Sequence, residues 1–432
     1  MDVEVIPGEI SGSLTPPPSK SETHRGLLGM ALAGGGVVTD PLESRDTRAT
    51  AAGIDALGGS VEWSAGTAVV TGFPDGTPIP STSPIDCANS GTTLRFLTGI
   101  AALADGQTTL TGDASLRLRP NTPLLEALEA LGATAVSDAE DGTAPITVTG
   151  PLDGGSTTIS GSVSSQFVSS ILLAGSMAPA GVEVTITAPL RSAPYLELTI
   201  ETLSRVNITV ERNGDSLRVP PDQTLHPPAS GWAIGVDPTA ASYPLVAGVL
   251  AGGEPVTVTD VGERAGDLAP IIEVLRAFDV PLTTDGRQVS VTRSTPVPAT
   301  VDLSRCPDLL PTAAVLASLA DGTSHLVNCE HARYKETDRI RVTAAAMRSL
   351  GVPVSDRSDG LTVRGRPEGF LAGTVDPHGD HRIAMAAAVA GLVADGPVRI
   401  RDADCVDVSY PAFFADLESL GATIHHTVPH DR

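Results

Sequence analysis

The sequence predicts an α/β protein of two lobes, each assembled from three βαβαββ units. Three observations carry that prediction. A polar cluster leading into an apolar helical run recurs six times, near Lys20, Asn89, Ser164, Ser242, Asp308 and Asp380, roughly 70 residues apart. A second helix in each recurrence closes on Leu-Gly or its equivalent: Ala56-Leu-Gly58, Ala130-Leu-Gly132, Thr202-Leu-Ser204, Leu275-Arg-Ala277, Ser349-Leu-Gly351 and Ser419-Leu-Gly421. Apolar and polar residues then alternate, as in Ile146-Thr-Val148-Thr, Val289-Ser-Val291-Thr and Leu361-Thr-Val363-Arg, with the period of a half-buried strand. Coincidental α/β alternation would not repeat the Leu-Gly followed by a hairpin. Pro and Gly concentrate between Asn213 and Thr239, after the third recurrence, and three prolines stand in a row at 16–18. The expected lobes are therefore 20–236 and 1–19 plus 237–432, joined by two crossings that form a hinge.

Composition excludes several classes of function. A formal net charge of −23 argues against a general binder of nucleic acid or anionic membranes. The acid excess, abundant Ala, Val and Gly and only 3% aromatic residues resemble proteins of salt-loving microbes. Cys87, Cys306, Cys329 and Cys405 are widely spaced, so they are expected to be small buried hydrophobes, neither disulfides nor zinc ligands. The start of the chain has no basic segment followed by an apolar one, and the alanine-rich run from Ile383 to Val393 is too short to span a bilayer. A cytoplasmic monomer with no metal and no cofactor is the expectation.

Lysine is nearly absent: Lys20 and Lys335 stand against 26 arginines (28 Lys+Arg less two Lys). An ammonium is a compact charge that can handle protons, whereas a guanidinium is a fixed planar fork. Each lysine sits among Ser, Thr, Glu and Arg just before an apolar run, which points to function. The polar clusters share one structural point, the turn entering each first helix: Ser19-Lys20-Ser21, Asn89-Ser90-Gly91-Thr92, Ser164-Ser165-Gln166, Pro307-Asp308 and Asp380-His381-Arg382. N-capping explains the Ser, Asn and Asp there, but not Lys20, Gln166 or Arg382. Helix N-termini bind anions, and Arg25, Arg95, Arg117, Arg119, Arg333, Arg339 and Arg382 lie in or just after these turns. A ligand carrying several negative charges follows. No G-x-x-x-x-G-K loop is present, so it is not held as a nucleotide in that manner. Asp308 and Glu336, placed among the cations, would weaken a pure anion binder and so point to proton transfer. Thr337 is expected to cap a helix from Asp338 with Ile340, Ala344, Met347 and Leu350 on its apolar face, leaving Lys335 and Glu336 on the loop before it.

These residues resemble the 5-enolpyruvylshikimate-3-phosphate synthase family over essentially the whole chain. The resemblance is carried by Pro-Ser-Lys20-Ser-x-x-x-Arg25, Asn89-Ser-Gly91-Thr-Thr-Leu-Arg95, Leu118-Arg119-Pro120, Ser164-Ser165-Gln166-Phe167, Ser192-x-Pro-Tyr195, Pro307-Asp308, Lys335-Glu336-Thr-Asp-Arg339 and Asp380-His381-Arg382. It implies an enolpyruvyl transferase-like inside-out α/β barrel whose two lobes close over substrate. It also implies transfer of the enolpyruvyl group of phosphoenolpyruvate to the 5-hydroxyl of shikimate 3-phosphate, with release of phosphate. By resemblance, Lys20, Ser21, Arg25, Ser164, Ser165, Gln166, Ser192, Asp308, His331 and Lys335 would hold shikimate 3-phosphate. Lys20, Gly91, Arg119, Gln166, Arg339 and Arg382 would hold phosphoenolpyruvate; the catalytic set would be Asp308, Glu336 and Lys20.

Two departures stand out. Some members have an Asn where this chain has His331, and some carry a phosphoenolpyruvate-binding lysine near the C-terminus, where this chain has Asp404 and no lysine after Lys335. The rival within the fold is UDP-N-acetylglucosamine enolpyruvyl transferase, whose members usually carry a loop cysteine before the equivalent of Arg119; the loop from Gly112 to Pro123 has none. A non-catalytic phosphometabolite-binding protein is the alternative of another class. A metal site at His378 and His381 lacks a recognised ligand spacing.

Overall fold

A computed structural model describes residues 1–261 and 268–427. The described residues form two compact units, Pro18–Ile234 and Met1–Pro17 with Gly235–Arg432, so the division falls two residues earlier than expected at each crossing. Each has its own hydrophobic core.

The chain opens with β1 (Asp2–Ile6) and β2 (Ile10–Leu14). The first lobe then holds α1 (Lys20–Leu32), β3 (Gly35–Thr39), α2 (Arg45–Ala56), β4 (Ser60–Ser64) and β5 (Thr67–Thr71). Next come β6 (Ile85–Asp86), α3 (Gly91–Ala101), β7 (Gln107–Thr111), α4 (Thr122–Ala130), β8 (Thr134–Ser137) and β9 (Ile146–Thr149). Its third unit is β10 (Gly155–Ile159), α5 (Ser165–Gly175), β11 (Val182–Ile186), α6 (Ala193–Arg205), β12 (Glu211–Asn213) and β13 (Ser216–Val219), followed by β14 (Trp232–Ala233).

The second lobe runs α7 (Ser242–Ala251), β15 (Gly252–Val258), α8 (Ala269–Ala277), β16 (Leu282–Thr284) and β17 (Val289–Val291). It continues with β18 (Thr300–Asp302), α9 (Leu310–Leu319), β19 (Thr323–Val327), α10 (Arg339–Ser349), β20 (Val354–Arg357) and β21 (Gly360–Arg364). The last described elements are β22 (Gly373–Val375), α11 (His381–Gly391), β23 (Val398–Ile400), α12 (Phe413–Ser419) and β24 (Thr423–Thr427).

Three units are contiguous in sequence and share one strand order, β6-β7-β9-β8, β10-β11-β13-β12 and β18-β19-β21-β20, with the first pair parallel and the hairpin antiparallel. The other three borrow a strand, which the sequence repeat did not reveal. β14 returns from the end of its lobe to pair with β3, β2 supplies the first strand beside β15, and β1 inserts between β23 and β24. Each of these sheets thereby has four strands, like the other three.

The first helix of each unit is interior. α7 and α11 are buried along their whole length and α9 nearly so, because Ala, Val and Leu cover every face. α1, α3 and α5 form the equivalent core of the first lobe, and the sheets lie outside. The second helices end in one device. The residue after each C-cap, Gly58, Gly132, Asn207, Asp279, Gly351 or Gly421, takes positive φ and turns the chain into its hairpin. In the third and fourth units the turn is thus at Asn207 and Asp279, not at Ser204 or Ala277 as the repeat suggested: α6 runs on to Arg205, and α8 closes on Phe278.

Candidate active site

In the second lobe a 3-10 turn, Pro307–Leu309, delivers Asp308 to the head of α9, and a second such turn, Glu330–Tyr334, leads into the loop carrying Lys335 and Glu336. Asp338 rather than Thr337 caps α10, accepting from the Arg341 amide; the Thr337 hydroxyl instead donates to Asp380 Oδ2 at 3.1 Å. α10 thereby presents Arg339 in its first turn, fully buried. Its guanidinium donates to Asp308 Oδ1 at 2.6 Å, to Asp380 at 2.9 and 3.2 Å, and to Glu336. Lys335 Nζ and Arg382 Nε each lie 3.6 Å from Asp308 Oδ1. Asp380, also fully buried, caps α11 by accepting from the Arg382 amide at 3.0 Å.

Three carboxylates (Asp308, Glu336, Asp380) therefore interlock with three cations (Lys335, Arg339, Arg382). Burial alone would lower the pKa of Arg339, but Asp380, Glu336 and Asp308 together raise it above its ordinary value. Burial also lowers the ammonium pKa of Lys335, an effect Asp308 opposes and Arg339 reinforces. His331 is buried on the 3-10 turn preceding Lys335.

In the first lobe the expected residues fall into two neighbourhoods. Ser19 caps α1, placing Lys20 and Ser21 in its first turn, with Lys20 Nζ 2.9 Å from Asp46 Oδ2. Arg25, one turn on, is buried against the Phe96 ring, its guanidinium 4.9 Å from the centroid; it donates to Thr199 Oγ1 and to the carbonyls of Ser21 and Tyr195. Burial pulls its guanidinium down to about 10, so it stays charged at neutral pH. Ser192, at φ 57°, precedes α6 and belongs to this neighbourhood through Tyr195.

The second neighbourhood is α3, α5 and the loop before α4. Arg95 donates to Gln166 Oε1 at 2.7 Å, Gln166 donates to Thr92 Oγ1 at 2.8 Å, and Ser164 caps α5 ahead of the buried Ser165. Arg119 donates to Asn89 at 2.7 Å, and its buried Nε has no hydrogen-bond partner among the described residues. A Cβ at Gly91 would stand 3.2 Å from Arg119 Nη1, so the guanidinium lies close against the α3 N-terminus. Arg119 thus stands beside the N-terminus of α3, where helix amides point outward.

Several expected participants lie elsewhere. Arg117 donates to the Gly112 carbonyl, and Arg333 to Asp338 and the Ser358 carbonyl; both tie loops together. Asp404 is exposed and lies 2.9 Å from the amino group of Met1. Cys87 and Cys329 are buried, but Cys306 and Cys405 are only partly so, against the expectation of four buried thiols; all four are free. Burial, followed by Asp308, pushes the Cys306 thiol up to about 12. Sequence reasoning missed Asp46 and Asp380 as partners of site cations, because an acid in the first turn of a helix or at its cap is ordinarily accounted for by capping and the helix dipole.

The six-unit, two-lobe fold and this cation-rich site define the enolpyruvyl transferase class. The structure superposes on an EPSP synthase from Acinetobacter baumannii with a TM-score of 0.82 at 27% identity, covering 99% of this chain and 100% of that one. It has the fold of the enolpyruvyl transferase NikO from Streptomyces tendae, at a TM-score of 0.79, 18% identity and 99% coverage of both chains. The family model for EPSP synthase (3-phosphoshikimate 1-carboxyvinyltransferase) matches residues 5–417. Relatives named 3-phosphoshikimate 1-carboxyvinyltransferase include that of Halobacterium salinarum, 45% identical over 98% of this chain and 99% of the relative. Those of Natronomonas pharaonis and Methanocella arvoryzae are 43% and 42% identical over 98% of this chain and 99% and 100% of theirs. The chain belongs to the EPSP synthase family.

Proposed function

We propose that this protein transfers the enolpyruvyl group of phosphoenolpyruvate to the 5-hydroxyl of shikimate 3-phosphate and releases phosphate, a step of aromatic amino acid biosynthesis. One observation beyond family membership supports it most: Asp308, Glu336 and Asp380 share one network of hydrogen bonds and ion pairs with Lys335, Arg339 and Arg382. A binder of anions has no use for three carboxylates there; an acid–base catalyst does.

Shikimate 3-phosphate is assigned to Lys20, Ser21, Arg25, Ser164, Ser165, Gln166, Ser192, Asp308, His331 and Lys335. Phosphoenolpyruvate is assigned to Lys20, Gly91, Gln166, Arg119, Arg339 and Arg382. Asp308 takes the proton of the attacking hydroxyl, and Glu336 moves the proton at the methylene carbon. Lys335, Arg339 and Arg382 surround the Asp308 carboxylate. Substrate phosphate and carboxylate groups are expected to draw these cations to themselves, leaving the Asp308 carboxylate to meet the hydroxyl. The same cations then meet the charge of a tetrahedral intermediate bearing two phosphates and a carboxylate.

None of the helices among the described residues is long and apolar enough to cross a membrane, and we place the enzyme in the cytoplasm, as a monomer. The test is phosphate release by purified protein in concentrated KCl, with phosphoenolpyruvate plus either shikimate 3-phosphate or UDP-N-acetylglucosamine. Release with shikimate 3-phosphate alone is expected. Release only with the sugar nucleotide overturns the substrate assignment, and none from folded protein leaves the chain a binder.

A further inference from the structure

Lys20 and Asp46 form an ion pair of 2.9 Å with side chains only 12% and 7% exposed. It is therefore unlike the exposed pairs that contribute little. Asp46 stands in the first turn of α2. One turn further along both helices the arrangement repeats: His24 Nδ1 lies 2.7 Å from Thr50 Oγ1, so a second polar rung braces the same two faces. Thr50 Oγ1 is 2.7 Å from Thr93 Oγ1, which lies 2.8 Å from the hydroxyl of Ser90, the α3 cap, and 3.2 Å from the backbone carbonyl of Asp46. The other carboxylate oxygen, Asp46 Oδ1, is buried and without a hydrogen-bond partner among the described residues. An aspartate retained only for structure is expected to have both oxygens satisfied.

We propose that Asp46 is a positioning residue. It fixes the Lys20 ammonium at the head of α1, and its own backbone carbonyl is tied through Thr93 and Ser90 to the helix that begins at Gly91. This rests on the reading of Lys20 as the cation that meets both substrates. A lysine stem has many rotamers, and the 2.9 Å contact selects one before substrate arrives. Among the described residues, Asp46 from α2 pairs with Lys20, and His24 of its own helix feels the Lys20 charge. Glu22 pairs with Arg205 of α6 at 3.1 Å, and His24 is buried and kept neutral. Asp46 is a carboxylate hydrogen-bonded to Lys20.

The two-lysine composition makes this directly measurable. Reductive methylation with 13C-formaldehyde labels Lys20, Lys335 and the amino terminus, and Lys335→Arg assigns the signals. In full-length Asp46→Asn, which removes the carboxylate 2.9 Å away, the Lys20 titration is expected to move to lower pH. In unlabelled Asp46→Asn, kcat/KM for phosphoenolpyruvate is expected to drop by about 100-fold, with its acidic-to-basic profile displaced the same way. Asp46→Glu, which keeps the charge, recovers the pKa and part of the rate. A Lys20 titration in Asp46→Asn identical to that of the parent overturns the proposal, whatever the rate. Should Asp46→Asn not fold, Asp46→Ser decides on the same reading: a Lys20 titration displaced from that of the parent supports the proposal, and an identical one overturns it. If the parent itself releases no phosphate, the assigned function fails, while the titration still decides whether Asp46 sets the state of Lys20.

Discussion

At Asp308 three cations meet one carboxylate, and the chemistry of the lobe depends on how that balance moves. Asp308→Ala is expected to reduce turnover by about 100-fold or more while both substrates still bind; unchanged turnover in a steady-state assay would remove it from the catalytic set. Arg339 is a different matter. It neutralises Asp308, Glu336 and Asp380 from a fully buried position, so Arg339→Ala strands buried charge and should cost about 3–5 kcal/mol in denaturant unfolding. Arg339→Lys, with no planar fork, recovers only part of it. His24 gives a pH dependence. Burial first, then Lys20 and Arg25, hold its folded pKa well below the unfolded value of about 6.5. The native state therefore binds fewer protons, and stability is complete above about pH 6.5 and declines as pH falls below it. Thermal unfolding between neutral and acid pH should show that decline, and His24→Gln should flatten it. Lys20, Arg25, Gln166, Asp308 and Arg382 stand out in the sequence as candidates because each accompanies a helix-entry cluster. Asp46 was not, because its contact with Lys20 joins residues 26 positions apart.

Helix closure is the repeated event at the scale of elements. Four of the six second helices end on glycine, and the other two use Asn207 and Asp279, the residue types that best tolerate positive φ. Gly421→Ala meets no atom nearer than 3.6 Å and should lose only the backbone preference, about 1–2 kcal/mol. Gly351→Ala also brings a methyl within 2.6 Å of Leu371 Cδ1, and it should unfold at lower denaturant than Gly421→Ala. Equal midpoints would mean that Leu371 moves aside freely. The Leu-Gly signal located these turns where glycine was present. It misplaced them in the third and fourth units, since Asn and Asp serve many purposes and leave no such mark.

The acid excess acts on the whole molecule. With a net charge of −23, self-repulsion disfavours the compact state, and screening shortens from about 8 Å at physiological ionic strength to about 3 Å at 1 M salt. Folding and activity are accordingly expected to require molar KCl. A melting curve in dilute buffer as high as in concentrated salt would contradict this.

The sequence by itself determined the βαβαββ period, the interior character of the first helices and the helix-entry placement of the candidate site residues. These depend on residues near one another in the chain, where periodicity and capping chemistry leave a local trace. Tertiary structure alone decided that β1, β2 and β14 complete sheets begun far away, that Arg339 is the hub of three carboxylates, and that Asp46 faces Lys20. Edge hydrogen bonds and buried charge neutralisation join whichever groups folding brings together, and sequence spacing carries no record of that choice.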